Sequence, residues 1–233
     1  MRGIMKPAAK NVVIYSVSQM MTCALDALCR ADKKKDVNVI CVHKSERLAD
    51  EISGGQTQCI ILDIEAHRHA YWLYRLRLRF PDIPFIVTQR RILFSDRVLA
   101  EYLGITWLRD YDSILAAWPV FRLTDTIHHE IFSGPGAGVT LTESGLVMTP
   151  ACFHHEINQW LAQRLDALFH EYPVVVIIID GFLKGMSVKN IGERMSVSDQ
   201  MVYEYRKKIM KALNIQHYQR EFFCSLKIQI LGS

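Results

Sequence analysis

The sequence predicts two fold classes in succession: an α/β domain built on a doubly wound, parallel five-stranded sheet, and then an all-α domain. Three observations carry this. Over about the first 130 residues, short β-branched runs alternate with amphipathic segments. A stretch rich in glycine and proline follows, and from Pro150 onward the apolar spacing becomes that of helices, with no further strand.

The strand runs are NVVIYS, VNVICV, QCIILDI, IPFIVT and ITWL, and the helical segments between and after them are TCALDALCRAD, SERLADEI, HAYWLYRLRLRF, SDRVLAEYLG and SILAAWPVFRLTDTIHHEI. This βαβα order places a functional site at the carboxyl ends of the strands. YRLRLRF alternates like a strand but fits a helix with Leu73, Leu76 and Phe80 inward and its arginines on a solvated face. DKKKD at 32–36 is a charged loop between helix and strand.

SGPGAGVTLTESG, residues 133–145, has no periodicity with which to continue a helix. The division expected is therefore a first domain over 1–132, a linker over 133–149 and a helical domain over 150–233. In the last of these, Phe153, Ile157, Trp160, Leu161, Leu165 and Leu168 form one apolar stripe. VVVIII at 174–179 is strand-like by propensity. Its place in a helical domain, and Pro173 at a first-turn position, make it a helix. A last helix is expected to begin near Tyr218, with KIQI beyond it.

With 233 residues, half of them hydrophobic, the chain can bury one large core or two smaller ones. A net charge of +4 does not by itself announce a nucleic-acid partner, so the placement of the cations matters more. Cys23, Cys29, Cys41, Cys59, Cys152 and Cys224 are scattered without a C-x-x-C pair, which suits a reducing cytoplasm. The N-terminus lacks a long apolar run before a cleavage site, and VVVIII ends at Asp180, so neither export nor a membrane span is expected.

The densest signal is SVSDQMVYEYRKKIMKAL. With Ser198 as N-cap and Asp199 in the first turn, a helix that turns Val202 inward also places Tyr205, Ile209, Ala212 and Leu213 inward. Gln200, Tyr203, Glu204, Lys207, Lys208 and Lys211 then share the outer face. Upstream, SVKNIGERM makes a short helix whose Ile191 and Met195 can pack on Val202, with Ser196 and Val197 as a tight turn. Two helices so joined form a helix-turn-helix, whose second helix enters the major groove of DNA.

Gly185, Ser187, Ile191, Val197, Ser198, Val202, Tyr205, Ile209, Leu213 and Ile215 stand, without a gap, at the positions of the LuxR/FixJ-type helix-turn-helix pattern, which the segment Gly185 to Ile215 resembles. Departures are Gly192 for alanine, Met195 for leucine, Met201 for threonine, Ala212 for lysine and, upstream, Val175 for a glutamate. The resemblance implies that Tyr203, Glu204 and Lys207 face base edges. It also implies that Ser198, Gln200, Arg206, Lys208 and Lys211 contact phosphate or fix the register. Cations near phosphate release counterions, whereas base-edge groups supply specificity.

In the first domain, Asp63, Thr88 and Arg109 end the third, fourth and fifth strands, an order similar to the receiver domain of response regulators. A working receiver also needs an acidic pair after its first strand to hold magnesium; here those positions are Ser16 and Val17. Arginine for lysine at 109 is a second departure. The resemblance therefore implies a degenerate, receiver-like domain in which Asp63, Thr88 and Arg109 are a vestigial acceptor region. In whole organisation the chain resembles RcsA/BglJ-type auxiliary regulators, which have degenerate receivers and act with a response-regulator partner.

The function expected is a phosphorylation-independent, sequence-specific transcription regulator. It would bind double-stranded DNA as a homodimer or as a heterodimer with a response-regulator-type protein, without an enzymatic activity, a cofactor or a membrane partner. The rivals are a conventional regulator phosphorylated at Asp63, or a metal-sensing or protein-interaction module. HHEI occurs at 128–131 and at 154–157, but adjacent histidines on a helix diverge by about 100°, so no metal site is expected. No G-x-S-x-G, Walker A or G-x-G-x-x-G element is present.

Overall fold

The computed structural model describes residues 10–31, 37–53, 56–117 and 147–229. The expected linker lies outside them except for 147–149, as does most of the segment 113–131.

The chain divides into two compact units. One comprises 1–65, 74–91 and 104–140; the other comprises 66–73, 92–103 and 141–233. Two segments from the first half of the sequence, 66–73 and 92–103, pack with the helical half.

The first unit holds a five-stranded parallel sheet of β1 (Lys10–Ser16), β2 (Val37–Val42), β3 (Thr57–Asp63), β4 (Phe85–Gln89) and β5 (Trp107–Asp110). Their order is β2-β1-β3-β4-β5, so the order reverses between β1 and β3, where Ser16 and Asp63 are register partners. Four of the seven residues of β1 and four of the five of β4 are β-branched or aromatic, types that fit a pleated, buried surface. Between β1 and β2 runs α1 (Gln19–Arg30), capped by Ser18, whose side chain accepts the Met21 N–H. Leu25 and Cys29 of α1 join Val12, Ile14, Val39, Ile61, Ile86 and Trp107 in one core. The helix α2 is Ser45–Ser53, α3 is Ala70–Arg79, α4 is Phe94–Tyr102 and α5 is Tyr111–Ala117.

In α3, Leu73 and Leu76 are buried as expected, but Arg77 is not on a solvated face. It donates to the carbonyls of Pro81 (2.6 Å) and Ile83 (3.2 Å) and lies over Phe85. Its fork satisfies carbonyls of the turn that leaves the helix, a task its spacing could not reveal. Of the cysteines, only Cys29 and Cys59 are buried, and burial pushes the Cys29 thiol up to about 12.

Among the described residues the second unit contains a 3₁₀ turn (Ala66–Arg68), α4, α6 (Pro150–Leu168), α7 (Pro173–Leu183), α8 (Val188–Met195), α9 (Asp199–Ala212) and α10 (Tyr218–Leu226). The helix α6 begins at Thr149, whose side chain accepts the Cys152 N–H, and has proline in its first turn. Phe153, Ile157, Leu161 and Leu165 are buried. Leu168, expected on that stripe, is 45% exposed: the helix ends there, and Phe169 is buried in its place. The Tyr102 ring of α4 meets Phe153 and Trp160 edge-on at 6.1 and 6.0 Å, and its hydroxyl donates to Glu156. These contacts explain why α4 belongs to the helical unit.

VVVIII is helical in α7, with Val175, Ile178, Ile179 and Phe182 buried. Burial on a helical stripe outweighs the β propensity of valine and isoleucine, which is small per residue. The expected last helix does begin at Tyr218, and beyond it Ile228 is buried, exchanging backbone hydrogen bonds of 3.0 Å with the Asn158 amide.

Candidate functional site

Two places carry the residues that the sequence singles out. The first is the α8–α9 pair. Ser187 caps α8, and Ser196 ends it in the left-handed region at φ 55°. Ser198 then caps α9 by accepting the Met201 N–H at 3.3 Å. The turn is closed by Val197 N–H donating to the Gly192 carbonyl at 2.9 Å. Gly192 is pressed so closely that an added Cβ would stand 2.9 Å from the Val197 carbonyl oxygen and 3.1 Å from Asp199 Oδ1. Close approach therefore accounts for glycine where the resembled pattern has alanine.

Val202, Ile209 and Leu213 of this pair are buried, as are Ile191 and Ile215. Tyr205 is half-buried, while Ala212, expected inward, is exposed. It is the final residue of α9 at the flank of the inner stripe, and the chain turns away at Asn214, φ 55°.

On the outer face Ser198, Gln200, Tyr203, Lys207, Lys208 and Lys211 are exposed, and Tyr203 is 41% accessible. Glu204 Oε1 accepts from Lys207 Nζ at 3.0 Å and from Gln200 Nε2 at 3.4 Å, both within the helix. Such an exposed pair is worth under about 1 kcal/mol, so it yields readily to a competing partner. Lys208 Nζ lies 5.3 Å from the Tyr205 ring centroid. Arg206, expected to contact phosphate, is set apart from these exposed cations. It is half-buried, and its guanidinium lies 4.7 Å from the Tyr203 ring centroid and 4.5 Å from that of Tyr218. Planar cations stack on aromatic faces, and here the rings of α9 and α10 take that plane. Sequence reasoning missed Tyr218, because nothing in helical spacing signals a partner on another helix.

The second place is the carboxyl edge of the sheet. Asp63 and Thr88 are buried, and Thr88 is the register partner of both Asp63 and Arg109. Asp63 Oδ2 accepts from Ser16 Oγ at 2.7 Å; Oδ1 accepts from Tyr111 at 2.5 Å and, more distantly, from Thr88 Oγ1 at 3.5 Å. Burial, and then the hydrogen bond to Asp63, push the Tyr111 hydroxyl well above its ordinary range, so it stays protonated and keeps donating. Arg109, grouped with Asp63 and Thr88 on sequence, is exposed, and its guanidinium lies 5.0 Å from the Trp107 ring centroid. The side chain two positions earlier on the same face of the strand captures it, and Tyr111 partners the carboxylate instead. The RDY run held the missed residue, although only the fold shows which of its members reaches Asp63.

A magnesium ion of the receiver kind does not fit this donor set. The positions of the acidic pair offer the Ser16 hydroxyl, already bonded to Asp63, and Val17, which is 78% exposed. Among the described residues no group of three His, Cys, Asp or Glu side chains is placed to hold a metal; His154 instead contacts the Ile228 carbonyl, and His128 and His129 lie outside those residues. No helix among the described residues is long and apolar enough to cross a membrane.

No family model and no curated protein matches the chain. Solved structures do. Two RcsB dimers bound to two parallel DNAs align over 93% of this chain and 96% of theirs, at 12% identity and a TM-score of 0.56. The response regulator RcsB in complex with DNA aligns over the same shares at 14% identity and a TM-score of 0.56. Full-length FixJ from B. japonicum covers 90% of this chain at 16% identity, with 92% of its own length aligned and a TM-score of 0.40. The likeness to RcsB is one of fold: a receiver-type parallel α/β sheet followed by a helical domain, shared over nearly the full chain.

Proposed function

We propose that this protein is a sequence-specific, DNA-binding transcription regulator. The observation that carries the reading is the outer face of α9, which presents Tyr203, Lys207, Lys208 and Lys211 to solvent from a capped helix-turn-helix. Exposed cations along one helix face suit a phosphate backbone, and an aromatic ring and a lysine at the centre suit base edges. The solved RcsB structures of the same fold are bound to DNA, which supports the reading.

Regulation by association is the companion proposal. Asp63 is buried and fully engaged by hydroxyls, and the magnesium donors are missing, which supports independence from phosphorylation. One helix-turn-helix reads a short half-site, so a homodimer or a heterodimer with a response-regulator-type protein supplies the second. The role is one of binding, not catalysis, and is exercised in the cytoplasm.

The test is selection of duplexes from a random pool by the full chain, followed by electrophoretic mobility shift over a salt series. A DNA reader gives log K falling linearly with log salt and a preference of about a thousandfold or more for the selected site. Equal affinity for every duplex, or none, would sink the proposal. Light scattering on the complex reports whether one or two chains sit on the site.

A further inference from the structure

Tyr203 and Tyr218 share one guanidinium. Tyr218 is the first residue of α10, and its ring is 4.8 Å from that of Phe222, centroid to centroid. Phe222 is fully buried and meets Phe182 of α7 edge-on at 5.5 Å. A column therefore runs from the core of the helical unit through Phe222 and Tyr218 to Arg206, and ends on the exposed ring of Tyr203. Within α9, Arg206 stands three positions after Tyr203, about 60° round the helix, where i,i+3 side chains meet. It occupies the flank towards α10, away from the centre of the outer face that Gln200, Lys207 and Lys211 share.

We propose that Arg206 and Tyr218 are positioning residues for Tyr203: they fix its ring on the outer face of α9, so that sequence preference depends on a residue outside the recognition helix. The inference rests on the DNA reading above and adds residues to it. An aromatic side chain held before binding loses little freedom on binding, and a ring fixed against one base edge discriminates better than one free to turn. The stacked guanidinium serves the ring and not the phosphates, because a cation spent on phosphate would be drawn out along the outer face.

The two roles of Arg206 give opposite salt signatures. A phosphate contact that is lost makes the slope of log K against log salt shallower by about one, whereas a lost positioning contact leaves the slope alone and erodes preference. The experiment measures the affinity of the full chain for its selected duplex and for a scrambled one over a salt series. It compares wild type, Tyr218→Phe, Tyr218→Leu and Arg206→Met. Tyr218→Phe keeps the ring and should match wild type. Tyr218→Leu and Arg206→Met should each lower the preference ratio by about fivefold or more at an unchanged slope. Arg206 is at the surface, so Arg206→Met decides the matter if Tyr218→Leu does not fold. Three results would overturn the inference alone: an unchanged ratio in both variants, a slope shallower by about one in Arg206→Met, or Tyr218→Phe failing as Tyr218→Leu does. A wild type without any preference would overturn the DNA reading itself, and this inference with it.

Discussion

The Tyr111 hydroxyl donates to Asp63 Oδ1 at 2.5 Å, while Arg109, two positions earlier at the end of β5, lies against Trp107. Ser16 holds the other oxygen at 2.7 Å, so the carboxylate of a receiver-type sheet is here a buried acceptor of hydroxyl groups.

Loss of the Asp63 charge is therefore expected to leave DNA binding nearly unchanged. Asp63→Ala should shift affinity for the selected duplex by less than about twofold, and a small phosphodonor with magnesium should leave no acyl phosphate on the chain. Mass spectrometry under conditions that preserve acyl phosphates, together with mobility shift, makes the check. Stoichiometric phosphorylation at Asp63 would favour the conventional regulator instead. Tyr111→Phe removes one hydrogen bond to a charged acceptor and should cost about 1.5–3 kcal/mol in denaturant unfolding.

The lysines on α9 should separate into two kinds. Lys207, exposed and bound only to a weak partner in Glu204, is expected to act at a base edge. Lys207→Ala should cost about 1–3 kcal/mol on the selected duplex and less on a scrambled one. Lys211→Ala should weaken both alike and lower the salt slope by about one. Identical behaviour of the two variants would contradict the division of roles.

Patterning within a segment made most of the fold legible. Five β-branched runs gave the strands, Asp63 and Thr88 fell at strand ends, and Ser198 marked the start of α9. What could not be read depended on partners far away in sequence. SDRVLAEYLG announces an amphipathic helix, but its periodicity does not say that Tyr102 will meet Phe153 and Trp160 in the helical unit. Likewise Arg206 and Arg109 read as charges, whereas each is committed to an aromatic face. The ring beside Arg109, Trp107, was two positions away. Tyr218, twelve positions beyond Arg206, was not inferable from either helix alone.

Gly192 offers a test of the turn. Alanine in a helix interior ordinarily gains about 0.5–1 kcal/mol over glycine. Here its Cβ would meet the Val197 carbonyl oxygen at 2.9 Å, and backbone held by its own hydrogen bond to Gly192 cannot yield as a flexible side chain would. Overpacking of about 1–3 kcal/mol outweighs the propensity gain. Gly192→Ala should lower the thermal midpoint by several degrees and weaken DNA binding in proportion. A stabilised Gly192→Ala would show that the turn relaxes freely.

His67 should make the helical unit sensitive to alkaline pH. It lies in the 3₁₀ turn before α3, buried, with its backbone N–H 2.7 Å and its Nδ1 2.9 Å from Asp96 Oδ1. Asp96 is wholly buried in the first turn of α4, and Oδ2 accepts the Leu93 N–H at 2.8 Å. Burial disfavours the imidazolium, but Asp96 outweighs it, aided by Cys224 of α10, and the pKa is raised from 6.5 to about 9. A folded-state value above the unfolded one means that the charged pair contributes fully below pH 6.5 and is lost as pH climbs through 9. The loss is on the order of 3 kcal/mol. Lysines and tyrosines also titrate near the top of this window, so the informative quantity is the difference between wild type and His67→Gln, which cannot change charge. Denaturant unfolding at steps from pH 6 to pH 10 should show that difference shrinking as pH rises. A difference constant across the range would mean that the folded protein does not hold the extra proton on His67 towards pH 9.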